Sequence, residues 1–279
     1  MSAPLTVRPS DGELRPPRLP LGTSTFTTLV RHEIRRATSS WLPRLLFMVI
    51  PLWLAWFVRP AFAYALTSAG ESSGPAAAQA LAGQVVMFGA ISLIFLGHAI
   101  FEDRDTHSDE RLLAAGVERW QLLESKLVVT LAHQVVLAAV VLLLGYVVLG
   151  AKAPGDVAAW VALSLAWCLA ATAIGVVMVG LSRTAAGFTL VCYGGSLVLV
   201  AGAGGLAPYS LLPEWARSIA RIFPSYWYLR GMDDVFVRRL TFVDVLPAVL
   251  ALLACSIAGF AVGAALLHLR RRTRSLDSP

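Results

Sequence analysis

Residues 157–181 read VAAWVALSLAWCLAATAIGVVMVGL, followed by Ser182-Arg183-Thr184 and then by AAGFTLVCYGGSLVLVAGAGGL over 185–206. A hydrocarbon core about 30 Å thick needs roughly 20 mostly apolar residues in a helix. Both runs are long enough, and neither carries a charge. Three residues between them leave room only for a tight turn, so they form an antiparallel pair. This hairpin sets the fold class: an all-α membrane protein.

Four further stretches satisfy the same length test, at about 42–66, 76–100, 127–149 and 245–268, which makes six spans. Pro43, Pro51 and Pro60 punctuate the first and predict a kinked helix. The whole chain agrees with this count. Of its 279 residues 57% are hydrophobic and only 14% charged, and the mean hydropathy is +0.70. A soluble domain carries about 25% charged residues, and a chain of this size could not hide the apolar excess in one core. An ordinary soluble enzyme and a disordered chain are both excluded.

Residues 1–22 hold five prolines among Arg, Ser and Gly and lack an apolar h-region, so they read as a disordered cytosolic tail instead of a signal peptide. Residues 23–40 change character. Phe26, Leu29, Val30 and Ile34 recur at helical spacing between Arg31, Glu33, Arg35 and Arg36, the pattern of an amphipathic helix lying in the interface. Residues 269–279 form a basic tail. With both termini in the cytoplasm, 16 of the 23 Lys and Arg fall inside and 7 outside, the bias expected of that orientation. The basic residues sit in short clusters at span ends, which argues against a nucleic-acid partner. Cys168, Cys192 and Cys255 each lie inside an apolar run and read as small buried residues.

Several chemistries are missing. A phosphate-binding loop needs Gly before Lys, yet the two lysines, Lys126 and Lys152, follow Ser125 and Ala151. ATP therefore cannot bind this chain in that manner. His32-Glu33 has Arg36 where a zinc protease has its second His, and Gly194-Gly195-Ser196-Leu197-Val198 lacks the last Gly of a nucleophile elbow. An intramembrane enzyme would need a nucleophile, metal cluster or acidic dyad within a span, and none is found. The central turns of the spans also lack Asp and Glu, which secondary transporters use to hold a coupling ion. The polar groups in or near the spans are Gln84, His98, His133 and Gln134. Interhelical hydrogen bonding is the simplest role for each, and Gln84, His133 and Gln134 are the candidates for lining a transport path. Gly259 and Gly263 form a GxxxG that predicts close helix packing within the subunit.

Two polar segments carry the functional information. In the first, Glu102 to Trp120, the residues Leu113, Val117 and Trp120 recur at helical spacing and predict one shared face. Asp109, Glu110 and Arg111 decorate the start of that helix. Such a helix could lie on the membrane or dock into a cleft on a soluble partner. In the second, Ala207 to Arg230, Pro213 opens a helix with Glu214 behind it. Pro224 stops that helix, Ser225 can cap another, and Trp and Tyr mark an interface.

The run Glu110-Arg111-Leu112-Leu113-Ala114, with Val117, Arg119-Trp120, Leu122-Leu123 and Lys126, resembles the loop between the second and third spans of type-2 ABC transporter permeases. These ABC-2 type proteins are membrane subunits of drug and antibiotic exporters, including the daunorubicin-resistance type. Members commonly show an acidic/basic cluster, a Gly-Thr-Leu-Glu-like turn, Leu-Leu, a Pro, then Leu-Leu-Gly-Lys into the third span. Here His107 stands at the Gly, Asp109 at the Leu, Gly116 at the Pro and Ser125 at the later Gly. The family also places short re-entrant helices between its fifth and sixth spans, with a signature similar to Pro208 to Trp215 and Phe223-Pro224.

The resemblance covers residues 23–268 and implies a transmembrane domain in a bacterial plasma membrane. It further implies a cytosolic coupling helix and efflux of an amphipathic drug, antibiotic or lipid. The implied partners are a separate ATP-binding-cassette subunit and a second permease copy or paralogue, with membrane lipid around them. ATP and its magnesium would belong to that subunit, leaving no cofactor in this chain. Glu110, Arg111, Leu113, Val117 and Trp120 are the expected ATPase-contacting set. A non-transporting scaffold or sensing partner is the alternative function.

Overall fold

The computed structural model describes residues 23–39, 41–68, 70, 72–151 and 153–276. The expected 1–22 tail, Lys152 and residues 277–279 lie outside them. The described chain is helical throughout, in the order α1 (Thr23–Ser39), α2 (Trp41–Ser68), α3 (Ala76–Ser92), α4 (Ile94–Asp105), α5 (Ser108–Ala114), α6 (Arg119–Leu149), α7 (Val157–Leu181), α8 (Ala185–Gly202), α9 (Glu214–Ala220), α10 (Pro224–Phe236) and α11 (Phe242–Leu276). A 3-10 turn at Tyr209–Leu211 lies between α8 and α9. Six segments are long and apolar enough to cross a membrane: Leu45–Ser68, Ala76–Asp105, Arg119–Leu149, Val157–Leu181, Ala185–Gly202 and Phe242–Leu269. The six-span reading holds, with some bounds shifted. The fifth span ends at Gly202 and not at residue 206. The second and third run further, to Asp105 and from Arg119. Helix α2 passes through Pro51 and Pro60 as one element, and α11 continues through most of the basic tail.

Burial sorts these helices. Within an 18-residue apolar stretch of the Ala76–Asp105 span 89% is buried, against 17% for the corresponding stretch of Leu45–Ser68. Helix α3 is the central post, with α2, α6, α8 and α10 packed around it. Its sequence suits that position: Ala76-Ala77-Ala78, Ala80, Ala82 and Gly83 let neighbouring helices approach closely. Leu81, Val85 and Val86 fill the remaining volume.

The post is broken once, and the break is repaired by a side chain. At Leu93 the backbone N–H donates to Ala90 O at 3.3 Å instead of to Gly89 O. Gly89 O thereby loses its usual helical donor, which is costly away from water. Gln134 Nε2 on α6 donates to that carbonyl at 2.8 Å, and Ser92 Oγ donates to it at 2.8 Å. Gln134 Nε2 also reaches Ser92 Oγ at 3.2 Å. Hydrogen bonding between helices, expected for Gln134, is thus directed at a carbonyl freed by the break in the central helix.

Helices α7 and α11 form the most extensive helix–helix contact among the described residues. The GxxxG of α11 faces α7 within the subunit, as expected. A methyl carbon built at Gly263 would stand 2.6 Å from Val176 Cγ1, and one at Gly259 3.0 Å from the Ala173 side chain. Asp156 fastens the same pair at one end. Its Oδ1 accepts from Ala158 N at 2.8 Å and Ala159 N at 3.2 Å, capping α7, while Oδ2 accepts from Phe242 N at 2.8 Å, the first residue of α11. These amides, Phe242 foremost, hold the Asp156 carboxyl below the usual carboxylate range.

Helix α10 returns into the bundle and buries Tyr228, Met232 and Val235. Tyr228 stacks on Trp167 of α7 with ring centroids 5.5 Å apart. Ser225 does not cap α10. Pro224 already occupies the first turn, Phe223 takes the cap position, and Ser225 Oγ donates to Leu199 O of α8 at 2.7 Å.

Replacing Gln134 with Leu keeps the volume but removes the interhelical donor to Gly89 O and leaves it Ser92 Oγ alone. The expected cost is about 1–2 kcal/mol of stability, read as a lowered thermal midpoint in detergent. Gln134→Glu, which cannot donate when ionised, should be worse; a midpoint equal to the unsubstituted protein's would disprove the repair.

Candidate functional site

The segment from Glu102 to Trp120 folds as a short hairpin element at one end of the bundle. Helix α4 stops at Asp105, and His107 turns the chain with φ +53°, in the left-handed region. The permease pattern has Gly at this position, where φ above zero carries no side-chain penalty. Helix α5 then runs for two turns with Asp109 and Glu110 in its first turn, favourable for the helix dipole. Arg111 folds back, its Nη2 donating to Ser108 Oγ at 3.1 Å and Thr106 O at 3.3 Å.

The shared face expected of Leu113, Val117 and Trp120 is not present, because the helix is interrupted. Gly116 has φ +92° and closes α5, with Gly116 N donating to Leu113 O and Val117 N to Leu112 O, both at 3.0 Å. A new helix starts at once. Glu118 and Gln121 form a reciprocal capping box that opens α6. Leu113 is therefore half-buried on α5, Val117 is buried in the linker, and Trp120 stands exposed on the first turn of α6. Glu110 and Arg111 are exposed. The surface on offer is thus Glu110, Arg111 and Trp120, with Val117 pinning the linker from inside.

Beneath this element lies an ion network that no local motif announces. Lys126 of α6 is buried; its Nζ donates to Glu33 Oε1 of α1 at 2.7 Å and also to Asp103 of α4. Arg36 of α1 donates from Nη1 to Asp103 Oδ1 at 2.7 Å and from Nη2 to Glu102 Oε2 at 2.6 Å. Helix α1 is thereby tied to both helices that carry α5. Arg36, one of the charged residues of the expected interfacial helix, is thus turned towards α4. The five charges sum to −1. Asp109, on the inward side of α5, faces this excess. Its Oδ1 is buried with no hydrogen-bond partner among the described residues. Burial, aided by the nearby Asp103 charge, pushes its carboxyl above the usual range.

Next to the network a cleft of about 380 Å³ opens between α1, α2, α4 and α6. His133 lines it, its ring edge-on to Phe95 at 5.4 Å, together with His98, Thr130 and the network residues Glu33 and Arg36. The other two candidate path residues lie elsewhere. Gln134 is buried in the α3–α6 contact, and Gln84 is fully buried on α3 with neither amide atom hydrogen-bonded among the described residues. The structure does not bring the three together.

Removing one member of a buried ion network leaves unpaired charge and costs about 3–5 kcal/mol. Lys126→Met should lower the thermal midpoint strongly, while the exposed Arg119→Met should not; equal midpoints would refute the network. Asp109 behaves oppositely. Its folded carboxyl titrates above the unfolded one, so its ionisation costs stability that is lost as pH rises through that window. Asp109→Asn is expected to raise the midpoint at pH 7 and to lose that advantage as pH falls towards 4. A gain that is constant with pH would contradict the buried-carboxylate account.

No curated protein matches the chain. The family model described as ABC-2 family transporter protein matches residues 60–265. That match leaves out α1 and most of the first span, and takes in everything from Pro60 through the GxxxG of α11, including the α5 element and α9–α10. The chain belongs to the ABC-2 transporter family, as a multi-pass membrane permease component of an ABC transporter.

Proposed function

We propose that this chain is the membrane subunit of an ATP-driven exporter that moves an amphipathic drug, antibiotic or lipid out of a bacterial cell. A separate ATP-binding-cassette subunit docks on α5 and hydrolyses ATP there. A second copy of the chain, or a paralogue, completes the path, because six helices alone enclose a poor alternating-access route. Both termini, α1 and α5 then face the cytoplasm, with α9 and α10 outside, in keeping with the Lys and Arg bias.

The observation that carries this reading is the joint between α5 and the ion network. A helix of two turns can transmit force only if its base is stiff. Here both flanking helices and α1 are locked together by Lys126, Arg36, Glu33, Glu102 and Asp103. A partner pushing on Glu110, Arg111 and Trp120 would displace α4 and α6 together with α1. The α1–α2–α4–α6 cleft, beside the same network, is where a substrate with a polar group would first meet His133 and Thr130. Gln134 could line a path only in a state that parts α6 from α3, and Gln84 only in one that uncovers α3. Hydrophobic paths rely on adaptable apolar contacts, which fits a substrate recognised by amphipathic character.

The test uses two exposed positions, so that docking and folding separate. Glu110→Lys with Trp120→Ala should leave membrane level and thermal midpoint unchanged while reducing the co-purified ATP-binding subunit at least tenfold. Undiminished co-purification would remove α5 from the docking site.

A further inference from the structure

At the end of the bundle opposite α5, a second cleft of about 360 Å³ lies between α2, α3, α9 and α10. Its size falls within the range of small-molecule sites. One wall is apolar: Phe62, Ala65 and Leu66 of α2, with Ala82 of α3 below. The facing wall is aromatic, formed by Tyr209 and Tyr226 with ring centroids 5.5 Å apart. The mouth is polar and holds Gln79, Arg217, Arg230 and Asp233.

This arrangement is built and fixed from several elements. Gly204 has φ +87°, and a methyl carbon there would stand 3.1 Å from the Tyr209 backbone. That glycine allows the chain leaving α8 to turn Tyr209 over the cleft. Tyr209 Oη donates to Arg217 O at 3.1 Å, which fastens the aromatic wall to α9 and sets Arg217 at the rim. Tyr226 is held from behind by Trp227, whose ring lies edge-on to it at 5.5 Å.

The charges are unequal. Asp233 is engaged by Gln79 Nε2 and lies 3.5 Å from Arg230 Nη1. Arg230 reaches its other acid, Asp234, only at 3.9 Å. A guanidinium has five N–H donors, so two long contacts leave most of that capacity open to the cleft. Arg217 makes no ion pair among the described residues. The lining residues therefore carry two guanidinium groups against one carboxylate, beside an apolar and aromatic pocket.

We propose that this cleft binds a small amphipathic anion. Its aromatic or aliphatic body lies between the α2 wall and the tyrosines, and its carboxylate or phosphate is held by Arg217 and Arg230. Guanidinium groups suit such oxyanions because their donors match two acceptor oxygens at once. The same chemistry is offered by the headgroup end of an anionic lipid and by a free amphipathic acid. The site requires only the fold, and holds whichever way the chain transports.

The probe is 2-naphthoate, with its uncharged amide as comparison, measured by equilibrium dialysis against full-length protein in phosphatidylcholine nanodiscs and against empty nanodiscs. One saturable 2-naphthoate site per chain is expected, with the amide at least tenfold weaker. Arg217→Gln, an exposed substitution that should not disturb folding, is expected to weaken 2-naphthoate at least tenfold. Arg221→Gln, also exposed but outside the cleft, should leave binding unchanged. Repeating the titration with phosphatidylglycerol in the nanodiscs separates the sources: competition assigns the site to a lipid headgroup, and undiminished binding assigns it to a free acid. Equal binding of acid and amide, or unchanged binding by Arg217→Gln, would overturn the proposal.

Discussion

The bond from Gln134 to Gly89 O is the contact on which the rest of the architecture turns. A helix enclosed on every side has no water to complete its backbone, so any irregularity must be satisfied by a neighbour. Helix α3 is so enclosed, and its register slips at Leu93. The amide of α6 joins Ser92 Oγ at the freed carbonyl and thereby ties the second and third spans to each other. Because α5 joins those two spans, the same contact also fixes the platform on which α5 stands.

Two further fastenings extend this platform. The α7–α11 seam depends on the absence of side chains at Gly259 and Gly263, and on one Asp156 carboxylate shared by two helix starts. The ion network does the corresponding work at the α5 end. Arg36 and Lys126 there meet three carboxylates, Glu33 of α1 and Glu102 and Asp103 of α4. Buried charge is a poor source of net stability, but it penalises every arrangement that leaves a member unpaired. Such a constraint suits the coupling role proposed for α5.

What was legible in the sequence follows from range. The spans were readable because length and apolarity are local, and the GxxxG was readable because its spacing belongs to one helix. The ion network was not, since Glu33 and Arg36 lie more than sixty residues from Glu102 and Asp103. No pattern within either segment distinguishes a charge turned to solvent from one turned to a partner. The error at α5 had a different origin. Leu113, Val117 and Trp120 keep helical spacing, but Gly116 and the Glu118–Gln121 capping pair between them signal a stop and a restart. The local terminators overrode the periodicity. Ser225 was misread for the converse reason: it suits a cap, yet Pro224 already begins the helix and a carbonyl of α8 lies within its reach.

The central claim is that an ATP-binding subunit meets the chain at α5 and nowhere near α9. A photo-crosslinking residue placed at Trp120, and separately at the exposed Trp215 of α9, tests this in native membranes. The account predicts an adduct with a nucleotide-binding subunit from position 120 and none from position 215. An adduct from position 215, or none from position 120 in a membrane where the partner is present, would contradict it.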